Sequence, residues 1–245
     1  MKKQTKLVAV LSTAALLAIG ASMTSFAATG WAEEDGTWVY YNRDGERATD
    51  SWKKSGNNWY YLDSDGEMAI DQLIEDGDNY YYVDINGVMA SNQWVAIENE
   101  DAGEDDEPEH YWYYFQANGK ALTNGDNDKV SLKTINGKKY AFDDEGKMLY
   151  GWVTEDGELA TGDDGWKDAK YYCGSWEDGS MKTGWQKITV YDQDEDDDYD
   201  YWFNFKSNGE KRGWKDSAGK ENWKSNGKYY SFDGRGVMIY EWALA

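Results

Sequence analysis

The chain has one cysteine, one proline and one histidine in 245 residues. With Cys173 alone, no intrachain disulfide can form. A reactive thiol needs an electropositive setting, so Cys173 reads as a residue filling a strand. His110 is the only histidine and lies beside an acidic stretch, so no histidine-based dyad can be assembled. No zinc, phosphate-loop or serine-elbow pattern is present. The chain is therefore read as not an enzyme, with no metal and no cofactor. Basic residues are also short, 25 against 47 acidic ones, for a net charge of −22. Lys2, Lys3 and Lys6 are the only charges in residues 1–28, so the remainder is more acidic still. Nucleic acid requires a basic footprint, and anionic lipid does as well; both are excluded as partners. Cationic or neutral ligands are favoured. Only one long apolar run occurs, Val8 to Ile19, well short of the ~20 residues needed to span a bilayer. It follows the three lysines and precedes the small-residue site Ser25-Phe26-Ala27. Residues 1–28 are thus expected to be a secretory signal peptide, giving an exported product with no membrane insertion.

Leu, Ile and Val are scarce, whereas 14 Trp and 20 Tyr bring aromatics to 16%. Disordered acidic chains are poor in rings, so this composition predicts a folded protein with an aromatic core. The rings recur with a period of about 21 residues. Trp52 is followed by the turn Ser55-Gly56-Asn57-Asn58, then Trp59-Tyr60-Tyr61-Leu62, Asp65-Gly66 and Met68. One block earlier stand Trp31, Trp38-Val39-Tyr40-Tyr41 and Asp44-Gly45; one block later, Leu73, Tyr80-Tyr81-Tyr82-Val83, Asn86-Gly87 and Met89. Two short runs rich in Trp and Tyr around a Gly/Asn turn predict a β-hairpin. One hairpin is marginal in water, and stacking on its neighbours buries the rings. The expected fold is an all-β, elongated solenoid of about eight stacked hairpins over residues 29–245. Trp214 opens the last, stretched repeat, and Trp242 reads as the start of an unfinished ninth unit.

The order Gly-Trp, turn, Trp-Tyr-Tyr, Asp-Gly, Met, Thr-Gly-Trp resembles the choline-binding, or cell-wall-binding, repeat. It is clearest in Thr29-Gly30-Trp31, in Trp59-Tyr60-Tyr61 and in Asp178-Gly179-Ser180-Met181-Lys182-Thr183-Gly184-Trp185. Related repeats in glucan-synthesising enzymes and clostridial toxins bind carbohydrate. The resemblance implies ligand cages between consecutive hairpins, with two rings from one repeat, one from the next, and often a Met closing the pocket. Carried onto this chain, the cages are Trp31, Trp38 and Tyr60; Trp52, Trp59 and Tyr81; Trp94, Trp112 and Tyr140; and Trp185, Trp202 and Tyr229. The remaining junctions depart from the pattern. Leu73 replaces the leading Trp of repeat three, Leu132 and Lys139 replace both tryptophans of repeat five, and Lys170 replaces the second Trp of repeat six, where Trp166 could fold in. A quaternary ammonium cannot donate a hydrogen bond, so π faces hold it, at about 0.5–2 kcal/mol per ring. The same rings could instead be hairpin-stacking core, and the methionines gap-filling.

Three acidic insertions fall at hairpin tips, 98–109, 156–168 and 192–200. The first and the last are expected to be mobile solvated loops, because they lack apolar residues to bury; the middle one is milder. Asp192, Asp194 and Asp196 have the opening spacing of an EF-hand loop. Asp197 then stands where Gly is needed and Phe203 where Glu is needed, so that motif fails. Together these features predict a secreted, non-catalytic module held non-covalently on the cell wall. Its partner would be a cell-wall polymer, choline-bearing (lipo)teichoic acid or, alternatively, glucan; a structural adhesive protein with vestigial cages is the third reading.

Overall fold

The computed structural model describes residues 29–103, 107–213 and 221–243. Residues 1–28, Trp214, residues 104–106 of the first insertion and the Trp242 side chain lie outside what it describes. The described residues are all-β apart from one single-turn helix, α1 (Gly165–Asp168). They form eight small sheets. The strands pair as β1 (Gly30–Glu34) with β2 (Thr37–Tyr41), β3 (Ser51–Ser55) with β4 (Asn58–Leu62), and β5 (Gln72–Asp76) with β6 (Asn79–Val83). Next come β7 (Gln93–Glu98) with β8 (His110–Phe115), and β9 (Lys133–Ile135) with β10 (Lys138–Tyr140). β11 (Trp152–Val153) then pairs with β12 (Tyr171–Tyr172), and β13 (Gly184–Asp192) with β14 (Asp197–Phe205). The last sheet has three strands, β15 (Glu221–Ser225), β16 (Lys228–Phe232) and β17 (Met238–Ala243). Trp242 therefore lies on a third, edge strand that closes the last sheet, and no further hairpin follows it among the described residues. Two compact units are present: the part up to Ile74 with Tyr82–Ala90, and Glu75–Tyr81 with everything from Ser91 onward.

Turn chemistry explains the hairpins. At the β9–β10 tip Asn136 and Gly137 both have positive φ, 49° and 81°, the geometry of a type I′ turn and of an Asn-Gly pair. The turn that leaves several of the hairpins is closed by its own aspartate. Asp63 Oδ1 accepts the backbone N–H groups of Asp65 and Glu67, and Asp84 Oδ1 those of Asn86 and Val88. The chain then returns and bridges to the preceding hairpin. In the first unit Met68 N–H donates to the Trp38 carbonyl (2.8 Å) and Met89 N–H to that of Trp59 (2.9 Å). In the second unit Met148 donates to Trp112, Met181 to Lys139 and Lys211 to Lys170, each at 2.8 Å. These bridges set one equivalence throughout: Met68, Met148, Met181 and Lys211 occupy the same place in their repeats.

Strand alternation places the core. On β4, Tyr60 and Leu62 are buried while Trp59 is 40% exposed; on β14, Phe203 and Phe205 are buried while Trp202 is 43% exposed. The second unit holds one apolar cluster around Trp166, Ile188, Phe203 and Phe205, and another around Tyr140, Phe142 and Met148. Burying a side chain such as Phe contributes about 1.5–3 kcal/mol, so rings replace the missing aliphatics. Cys173, with Val153 and Leu149, belongs to a third cluster and is fully buried. Burial pushes its thiol up to about 12. Native protein is therefore expected to leave a thiol reagent unreacted at pH 8, with one equivalent consumed only in denaturant; rapid native labelling would contradict this packing.

The acidic insertions carry more regular structure than expected. Residues 192–200 are not a loop on a short hairpin: they complete two nine-residue strands and the turn between them. Asp192 is 1% exposed, and its carboxylate accepts bonds from Tyr201 Oη (2.8 Å) and Arg235 (2.9 Å). Tyr199 stacks on Tyr201 at 5.7 Å. Residues 193–200 themselves stay exposed, Tyr199 among them. The 156–168 insertion contains α1 and sends Trp166 into the core. In the first insertion the buried Asn99 donates to the Pro108 carbonyl at 2.9 Å.

Candidate functional site

Each junction is built from four slots: the leading residue of one repeat, the first ring of its second strand, the next ring of the following repeat, and the residue that makes the bridging hydrogen bond. The junction of repeats four and five brings the expected rings together. Trp94 (β7), Trp112 (β8) and Tyr140 (β10) line a pocket of about 310 Å³ with Met148, Lys138, Glu177 and Asp178. Trp94 meets Tyr140 edge-on, centroids 4.9 Å apart at 63°, and lies over Phe142 at 5.8 Å and 24°. Met148 is buried at this site, packing under Gly179 of the next turn. Behind Trp112 stand His110 (5.2 Å) and then Trp176, 4.8 Å from His110. Trp176 carries no repeat signature and was not found by sequence reasoning.

The pocket edge is charged. Burial raises the Asp178 carboxyl, but bonds from Lys182, Ser180 and Lys138 outweigh it and hold the group below its ordinary value. Asp178 is therefore an anion at neutral pH, 3.3 Å from Lys138 Nζ. Lys138 and Lys182 compensate that charge, so a preference for a cation with an apolar surface rests on the rings. Among the described residues no group of three or more His, Cys, Asp or Glu side chains is placed to hold a metal ion.

The other sets differ. In the first unit Trp31 meets Tyr60 at 5.3 Å and 71°, and Trp38 supplies the carbonyl bridged by Met68. Trp52 and Trp59 lie in the first unit and Tyr81 in the second. At the junction of repeats seven and eight, Trp185 meets Trp202 at 6.3 Å and 83° and is stacked over Phe232 at 5.8 Å and 27°. Its edge-on partner is Tyr230, at 4.8 Å and 60°, not the expected Tyr229. Tyr230 pairs with Trp223 across the sheet, and Tyr229, one residue earlier, turns to the opposite face. Aligning Lys228-Tyr229-Tyr230-Ser231-Phe232 with Asn58-Trp59-Tyr60-Tyr61-Leu62 by their final buried residue would have shown this. Trp166 does fold into the junction of repeats six and seven, 6.0 Å from Phe203.

Residues 48–94 match the choline-binding repeat. The chain is similar to choline binding protein F of Streptococcus pneumoniae, with 25% identity and a TM-score of 0.52, over 87% of this chain and 58% of that one. It thus spans little more than half the length of that relative. It is also similar in fold to the choline-binding domain of CbpL from Streptococcus pneumoniae, with 24% identity and a TM-score of 0.50, over 86% of this chain and 87% of that domain. No protein of curated function matches the sequence. Within this chain the leading tryptophan and the ring of the following repeat meet in a narrow geometry at three tyrosine junctions, with centroids 5.3, 4.9 and 4.8 Å apart.

Proposed function

We propose that this choline-binding-repeat protein is an exported, non-catalytic module that binds choline on cell-wall teichoic acid through cages between its hairpins. One observation carries the proposal: Trp94, Trp112 and Tyr140 converge on a pocket of about 310 Å³ with a buried methionine beside them and the Asp178 carboxylate at its rim. That volume has room for a trimethylammonium group, and the ring set suits its apolar positive surface. The Trp31–Tyr60 and Trp185–Tyr230 pairs repeat the arrangement. Three rings at about 0.5–2 kcal/mol each support roughly millimolar affinity per cage. Several cages on one polymer then raise retention through effective concentration. The net charge of −22 draws cations and repels bare polyphosphate.

Calorimetry with choline chloride tests this. Saturable binding is expected in the parent, with the stoichiometry reduced by one site in Trp112→Ala and affinity at that site weakened in Trp112→Phe. Isomalto-oligosaccharide run in parallel provides the competing outcome. Saturable binding of the sugar with none of choline would transfer the site to a glucan ligand and end the choline proposal.

A further inference from the structure

We propose that the junction of repeats six and seven is an aromatic cage that the chain fills with its own Lys211 side chain, an internal counterpart of an ammonium ligand, so that this junction admits no external cation. The equivalence to an open cage rests on two independent marks. Lys211 N–H bridges to the Lys170 carbonyl as Met148 N–H bridges to that of Trp112, both at 2.8 Å. The Lys211 stem also runs beneath Gly236, 2.7 Å from where a Cβ there would sit, as Met148 runs beneath Gly179. The rings correspond as well. Trp152 meets Phe203 edge-on at 5.0 Å and 68°, against 4.9 Å and 63° for Trp94 and Tyr140.

Where the open cage has space, this one has an amine. Lys211 is the only buried lysine among the described residues. Its Nζ lies 5.3 Å from the centre of the Trp152 ring. It donates to the Trp166 carbonyl at 2.6 Å and the Lys167 carbonyl at 3.1 Å, both at the end of α1, where helical carbonyls lack intrahelical partners. The second-Trp slot is closed by Lys170, paired with Glu155 at 3.2 Å and Glu210 at 3.8 Å. Trp166 covers Phe203 and is held by its indole N–H on the Tyr191 carbonyl at 2.9 Å. Burial pushes the Lys211 amine down to about 7, with Asp168 and Asp233 pulling it upward. The substitution is visible in the repeat itself, where Asn208-Gly209-Glu210-Lys211 replaces Asp65-Gly66-Glu67-Met68.

The equivalence to a ligand cage rests on the proposed function, but the filling by Lys211 does not, and the tests separate them. In the parent, reductive methylation with formaldehyde should spare Lys211 while modifying exposed lysines such as Lys129. The Lys211 ε-methylene protons should be shifted upfield by the Trp152 ring. Methylation of Lys211 at the surface rate, or an unshifted ε-methylene, overturns the proposal. Tetramethylammonium titrated into Lys211→Met should find one site more than in the parent. Equal stoichiometry in a parent that does bind overturns the equivalence. If neither protein binds, the function proposed above fails, and the methylation and shift results alone decide whether Lys211 fills the junction. They also decide it if Lys211→Met does not fold.

Discussion

Phe203→Ala will cost the fold ~3–5 kcal/mol, whereas Trp202→Ala, one residue earlier on the same strand, will cost about 1 kcal/mol. Phe203 is fully buried, packed between Trp152 and Trp166 at 5.0 and 6.0 Å. Truncation removes its transfer energy and leaves a cavity that a two-stranded sheet cannot collapse into. Trp202 points to the other face, 43% exposed, with an edge contact to Trp185. Its loss should fall on ligand: one choline site at the junction of repeats seven and eight disappears while the denaturant midpoint hardly moves. Urea unfolding of both variants, with choline calorimetry on Trp202→Ala, measures the contrast. Similar destabilisation in the two would mean that both faces of β14 are core, and that the exposed ring has no separate task.

Gly213→Ala should be worse than any surface change, a loss of roughly 3 kcal/mol or more. Gly213 has φ +76°, and a Cβ there would run into the Asp233 carbonyl oxygen and within 3.1 Å of the Gly236 Cα. Both neighbours are backbone in the turn after β16, so relief requires the turn itself to move. Gly227→Ala is the control. Its φ is nearly the same, +79°, with nothing within 4 Å of the added carbon. It should lose only the left-handed strain, about 1 kcal/mol. Melting temperatures of the pair separate conformational strain from close approach. Equal shifts would remove the close approach as a cause.

The acidic stretches show where sequence pattern misleads. Asp192–Asp200 reads as a solvated loop because its charges dominate, yet Tyr199 and Tyr201 alternate with aspartates as in a half-buried strand. Once β13 and β14 pair along their whole length, Asp192 is enclosed and compensated by Tyr201 and Arg235, which lies 43 residues away. Charge count could not supply that partner. The Tyr229 assignment failed for a smaller reason. A one-residue slip in a strand exchanges its faces, and only alignment on the buried Phe232 selects Tyr230.

By itself, the sequence determined the all-β hairpin repeats, the ring-built core and the turn sites. These follow from local rules: period-2 alternation, Asn-Gly and Asp-Gly turns, and rings that must be buried because few aliphatics are available. The tertiary structure decided which junctions are open. Trp94, Trp112 and Tyr140 surround a pocket, while Trp152 and Phe203, in the same arrangement, enclose Lys211. The difference depends on a helix end from an insertion, whose carbonyls fix the amine, and on the backbone bridge that carries Lys211 there. Such contacts join segments some 40 residues apart, a separation at which local propensity carries no information and only packing selects the partner.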